Sequence, residues 1–475
     1  MKSRLLLILF FFVLQSKVFS QDFASMFSIS LKGKDISTFY TSNKNNNEST
    51  LFMVDKNKVY ANKLDVRMQL KDTFSSTKPE EDYKKMIGAI ETENVVTLFW
   101  SSEDFTSILA QSFNFKEHNV ALESIPYDAA SEKLIHFFSE NQKFYILSSS
   151  KKFNELKLTV IDENKISTEK RINISELSSN AIKNLKSLEL NETSENSISA
   201  EKIDSNSYTF YTESAKKNKC YSNGKNIFLT FDSDKEASLL ITIDLNSFSI
   251  TEKKIEKPIL SNNQELKSNS FLIDDKLLLV CFNTKDIIIS VKDFNNNLLK
   301  QFSSLTNDFN AVEYITEREI GVSNAHTKRE KFLKSLNDEF GISCYKVNNT
   351  YQISIGKPET LILPEEQRNF YATIGGGMGG FIGALIGSLI DYSNSTKKNF
   401  TSFMSNGRSY FNYTINDSFI HINNRHDQIA AEKLRYFLRE SNPGIGQIFY
   451  KVDNINYFGY YSNTEKRYFI RKFID

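Results

Sequence analysis

From about residue 25 onward, short apolar runs alternate with clusters of Asn, Asp, Ser and Lys, and helical periodicity is almost absent. Alternation at a period of two puts every second side chain on one face of a sheet, so these runs predict strands. The runs also recur. Thr50-Leu51-Phe52-Met53 is echoed 47 residues later by Thr97-Leu98-Phe99-Trp100, and after another 47 by Phe144-Tyr145-Ile146-Leu147. Ile227-Phe228-Leu229 and Leu277-Leu278-Leu279-Val280 continue the series after gaps of 83 and 50. A second strand pair follows in each unit. Leu158 to Asp162 leads through a turn to Ile166 to Lys170, Ile241 to Asp244 leads to Ile250 to Lys254, and Ile289 to Asp293 leads to Leu298 to Lys300. An Asp closes one strand and a polar turn opens the next, as expected where a carboxylate bonds its own backbone in a turn.

A period of 40–50 residues with about four strands per unit is what a β-propeller blade requires, because one four-stranded sheet cannot bury both of its faces. The expected fold is therefore mainly β, a propeller-like array of about five to seven blades over residues 21–365. The 83-residue gap would hold two blades, one of them degenerate around Tyr208-Thr209-Phe210-Tyr211. A strand from Met26 to Leu31 would close the ring and remove exposed edges. A β-sandwich or unrelated strand-rich domains is the competing architecture.

Beyond the repeat, Ala325 to Asp338 reads as a short exposed helix, and Ile342 to Val347 with Tyr351 to Ile355 as a hairpin. Residues 392–475 read as a small α+β unit. Its helix begins near Asp427, carries Ala430, Leu434, Phe437 and Leu438 on one face and stops at Asn442-Pro443-Gly444.

Between these parts, Asn369 to Ile390 runs 22 residues without a charge and holds seven of the 17 glycines. Gly375, Gly379, Gly383 and Gly387 recur every four residues, which on a helix makes a stripe without side chains. Residues 369–391 are therefore expected to be a glycine-rich helix that another helix can approach closely, either within a membrane or packed on the soluble part. Gly375-x-Gly377-x-x-Gly380 matches a dinucleotide fingerprint by spacing, but the acidic residue about twenty positions on is replaced by a polar loop.

Residues 1–20 have the pattern of an export signal. Lys2 and Arg4 precede the apolar run Leu5 to Leu14, and Val18-Phe19-Ser20 ends in a small residue. The expected location is periplasmic, envelope-associated or extracellular. Lys and Arg number 59 against 58 Asp and Glu, so no net field favours nucleic acid. Cys220, Cys281 and Cys344 fit no zinc or redox spacing, and a disulfide pair among them stays open. The histidines 118, 136, 326, 421 and 426 are dispersed. Asp232-x-Asp234-x-Glu236 reads as a solvated turn rather than a calcium loop. Trp100 falls in a strand position. No nucleophile elbow or phosphate loop is present, so no catalytic, cofactor-binding or metal residue is assigned and no cofactor is expected.

The leader, the Lys- and Asn-rich strand repeats and the glycine segment together make the chain similar to exported β-propeller-like proteins of Bacteroidota such as flavobacteria. That resemblance implies no activity. The expectation on these grounds is a non-enzymatic binding protein with an unknown protein or envelope component as partner. The membrane and self-association through the glycine stripe are open to it, and nucleic acid is not. The alternative is a carbohydrate- or peptide-active hydrolase or lyase with its site in the propeller channel.

Overall fold

The computed structural model describes residues 21–33, 35–43, 47–163, 167–191, 197–204, 207–211, 213–260, 266–319, 322–326, 328–336, 340–358, 408–422, 428–441 and 443–475. Among them the chain is mainly β, with seven sheets of four or five strands and three α-helices. The first sheet holds Ser37–Asn43, Glu48–Val54, Lys58–Leu64 and Leu70–Thr77, each antiparallel to the next. The second runs from Tyr83–Glu91 to Asn119–Ile125 and the third from Glu132–Glu140 to Ser167–Asn173 in the same meander. The fourth adds a short parallel strand, Glu201–Ile203, to the meander from Asn218–Ser222 to Ile250–Glu256. The fifth runs from Lys267–Ile273 to Leu298–Ser303.

The last two sheets are assembled from distant segments. In the sixth, Gly341–Val347 and Thr350–Pro358 pair with Arg408–Asn416, which in turn pairs with Ile315–Glu319. In the seventh, Ile445–Val452, Ile455–Ser462 and Arg467–Ile474 are completed by the amino-terminal strand Gln21–Ser28. Residues beyond 392, expected as a small unit of their own, thus share one sheet with residues 341–358 and another with residues 21–28.

Turn chemistry explains why the strands end where they do. The Asp244 carboxylate accepts from the backbone N–H groups of Asn246 and Ser247, and Asp293 accepts from those of Asn295 and Asn297. Asp65 does the same at the matching place in the first sheet, and Asn416 at the turn that follows Arg408–Asn416. A side-chain oxygen that satisfies two turn N–H groups stabilises the reversal between the third and fourth strands.

Sheets pack on one another in chain order. Phe52 and Ala61 of the first meet Leu98 and Trp100 of the second. Phe99 of the second stacks on Phe144 of the third, with ring centroids 4.0 Å apart. A Cβ on Gly88 would lie 2.4 Å from the same Phe144 ring, so only glycine permits this approach. Leu158 of the third meets Leu229 of the fourth, and a single cluster joins the fourth, fifth and sixth. Tyr345 of the sixth meets Phe449 and Phe458 of the seventh, and Ile448 of the seventh meets Leu51 and Met53 of the first. The succession of contacts returns to its start.

The helices fill the longer connections. α1 (Ser179–Ser187) is capped by the Ser178 hydroxyl and buries Ala181 and Leu185 against the third and fourth sheets. The 83-residue gap thus holds α1 and a packed coil. Tyr208 to Tyr211 form no strand, which corrects the expectation of a degenerate blade there. α2 (Arg329–Ser335) buries Phe332 and Leu333 in the core, where an exposed helix was expected. α3 (Ala430–Glu440) buries the expected apolar face, Ala430, Leu434, Phe437 and Leu438.

Candidate functional site

Two edge strands meet at the most distinctive polar group outside a complete network. Glu132–Glu140 is the edge of the third sheet and Glu201–Ile203 the edge of the fourth. Lys202 lies opposite Cys220 in the parallel pair and is half-buried. Its ammonium Nζ donates to the Phe137 carbonyl oxygen at 2.8 Å and sits 5.2 Å from the centroid of the Phe138 ring. Among the described residues it has no carboxylate within ion-pair distance. Burial pulls the Lys202 pKa below the ordinary lysine value, and the charges of Glu140 and Asp204 only partly restore it. Desolvation penalises the charged form, so the neutral, nucleophilic amine becomes easier to reach.

Phe137 is presented by a local irregularity. The register between Glu132–Glu140 and Lys143–Ser150 shifts between Leu134 and His136. Such a bulge re-aims the residues that follow it. The Phe137 N–H donates to His136 Nδ1 at 2.8 Å, which holds the ring against the strand backbone. Nδ1 also lies 3.3 Å from the Phe137 oxygen that holds Lys202, so the imidazole and the amine flank one peptide group.

At the end of the same strand, the Glu140 carboxylate accepts from the Ser222 hydroxyl of the fourth sheet. Asn141 and Gln142 form the hairpin tip with positive φ angles of 49° and 59°, a conformation that costs non-glycine residues energy. Asn141 donates to the Gly224 oxygen at 2.5 Å and Gln142 to the Asn43 side chain at 3.2 Å. These bonds tie the tip to the fourth and first sheets. An amine, an imidazole and a carboxylate thus lie on neighbouring strands.

A second charged cluster is closed. Arg408 grips Glu432 of α3 through two bonds of 3.0 Å and also bonds Glu317, which lies 3.4 Å from Arg435. Glu432 is held low by Arg408 in spite of its burial. This lattice docks α3 on the sixth sheet.

The residues singled out in the sequence are scattered. Gly375, Gly379, Gly383 and Gly387, and the whole 369–391 segment, lie outside the described residues, as do His426 and the His326 side chain. His118 is exposed and pairs with Asp72 at 3.0 Å. His421 stacks on Tyr413 at 4.3 Å. Asp232 is not in a solvated turn. It is buried and bonded to Lys219, Ser238 and Ser270. Trp100 is in the core, where its indole donates to Gln111 at 3.0 Å. All three cysteines are free and buried, and burial pushes the Cys220 thiol up to about 12. Among the described residues no group of histidine, cysteine and acidic side chains is placed to hold a metal ion, and no helix is long and apolar enough to cross a membrane. Lys202 carried no sequence signal, because it sits in a polar stretch, Glu201 to Ser207.

No protein-family profile matches the chain, and no curated relative does. Solved structures similar to it include cobalt-substituted Synechocystis apocarotenoid oxygenase, at 10% identity and a TM-score of 0.31. They also include an ACO/RPE65 chimera, at 10% identity and a TM-score of 0.30. Each match covers 58% of this chain and 63% of the other, so the chain spans less than two thirds of the structures it matches. The expectation of a non-enzymatic binding protein is overturned here. The apocarotenoid oxygenase among the similar structures is an enzyme, and that is the finding that stands against it. At these scores the likeness carries no argument for any particular reaction in this chain.

Proposed function

We propose that this chain is a seven-bladed β-propeller enzyme that acts on a carbonyl substrate through the amine of Lys202. The observation that carries the reading is the half-buried Lys202 amine, held by one backbone carbonyl and without a carboxylate partner among the described residues. Support for the propeller comes from seven sheets whose packing returns to the first, with strand Gln21–Ser28 completing the last. Export is part of the proposal and rests on the leader pattern from Lys2 to Ser20.

The chemistry is imine formation. The Nζ lone pair adds to the carbonyl carbon, the oxygen takes up protons and leaves as water, and the nitrogen keeps a double bond to carbon. His136 and Glu140, on the strand whose Phe137 carbonyl holds the amine, are the acid–base groups we assign to exchange those protons. The resulting iminium withdraws electrons from the neighbouring carbon bonds, which suits a lyase or a transferase.

Reductive trapping tests this without knowledge of the natural substrate. The intact protein is incubated with pyruvate or benzaldehyde and cyanoborohydride at neutral pH, and adducts are located by peptide mass spectrometry. Lys202 should be modified ahead of the other lysines, and Lys202→Arg should abolish that adduct. Adducts spread over exposed lysines without preference for Lys202 would overturn the proposal.

A further inference from the structure

A buried carboxyl with one unpartnered oxygen among the described residues lies between the first and second sheets. Glu91 ends the strand Tyr83–Glu91 and is 2% exposed. Its Oε1 accepts from the Thr50 hydroxyl of the first sheet at 3.0 Å, while Oε2 is buried with no hydrogen-bond partner among the described residues. The Thr50 hydroxyl and backbone N–H are the donors beside it, fewer than an ionised carboxylate usually gathers.

The groups facing it do not supply a free positive charge. Lys63 is engaged with Glu48 at 2.9 Å and with the Glu93 carbonyl at 2.5 Å. Glu48 adds a negative charge, and Lys71 beside Glu48 is already bonded to it. Tyr40 of the first sheet is a buried phenol that stacks on Tyr450 of the seventh at 3.9 Å, and Tyr450 stacks on Tyr457. Burial raises both the Tyr40 and Tyr450 phenols, so neither offers a charge.

We propose that Glu91 is a pH-sensitive latch between the first and second sheets, closed while its carboxyl carries a proton and weakened when it ionises. Burial pushes the Glu91 carboxyl up to about 8, with Thr50 and Lys63 opposing and Glu48 adding to the rise. The folded value lies above the unfolded one of 4.5. The stability it contributes is therefore fully present below the unfolded value and is lost as pH rises through the folded one. Between those limits the unfolding equilibrium constant should rise about tenfold per pH unit from this group alone.

Urea melts of the whole protein and of Glu91→Gln, run from pH 5 to pH 8, test the latch. Other titrating groups affect both proteins alike, so the ratio of their unfolding constants isolates Glu91. That ratio should change by roughly several hundredfold across the range. An unchanged ratio would overturn the proposal. If Glu91→Gln does not fold, the infrared carbonyl band of a protonated carboxyl in the wild type decides the matter. The band should be present at pH 6 and fade near pH 8, and its absence at pH 6 sinks the idea.

Discussion

Two lysines seventeen positions apart, one half-buried and one fully buried, have opposite surroundings. Lys219 is fully enclosed, 3.3 Å from the Asp232 carboxylate and 2.6 Å from the Asn269 side-chain oxygen. Asp232 in turn accepts from Ser238 and from the N–H and hydroxyl of Ser270, and Lys257 donates to its backbone oxygen at 2.8 Å. Asn269 donates onward to Ser214, Ala215 and Phe340, so the network stitches the fourth, fifth and sixth sheets. Lys202 has one carbonyl and the face of a ring. Desolvation is the largest influence on both amines and lowers both. What separates them is the partner. Lys219 faces the Asp232 carboxyl and helps to hold it low in spite of its burial, whereas the Lys202 amine can lose its proton without orphaning an acid.

The comparison breaks most visibly at Asp232. Asp232→Ala should cost about 3–5 kcal/mol in denaturant melts, because it leaves Lys219 charged, buried and unpaired. A loss below about 1 kcal/mol would mean that the network is not closed as described. Lys202→Met should change stability by only about 1 kcal/mol, the scale of one hydrogen bond, while removing the imine adduct completely.

Reagent access sharpens the contrast further. At pH 8 an acylating reagent should modify Lys202 and leave Lys219 untouched in the folded protein, as read by peptide mass spectrometry. Equal protection of the two would place Lys202 with the structural lysines. The smallest effect is in the pH profile. The folded Lys202 value lies below the unfolded one, so this group depresses stability at low pH and the penalty is relieved as pH rises between the two values. Lys202→Met should flatten that rise, measured as the slope of unfolding free energy above pH 8.

Much of the architecture was legible because its causes are local. Alternation marked the strands, the Asp244 and Asp293 turns were visible as acid-then-polar punctuation, and the apolar face of α3 followed helical spacing. The 83-residue gap misled because Tyr208 to Tyr211 have strand composition but pack as coil. Tyr208 packs edge-on against Tyr345 at 5.5 Å, and the Tyr211 oxygen lies where a Cβ on Gly341 would be. Only the packing of that coil on the sixth sheet reveals why position 341 is glycine.

The site was illegible for the same reason. Lys202 meets Phe137 across 65 residues, Thr50 meets Glu91 across 41, and Lys219 meets Asn269 across 50. None of these separations follows from a helical or strand period. By itself the sequence determined the strand repeat, its turns and the α3 face, since those depend on neighbours within a few positions. Tertiary structure alone decided the completion of the seventh sheet by residues 21–28, and which buried charge received a partner. Burial and pairing depend on what the rest of the chain brings alongside, and that is set by packing rather than by local pattern.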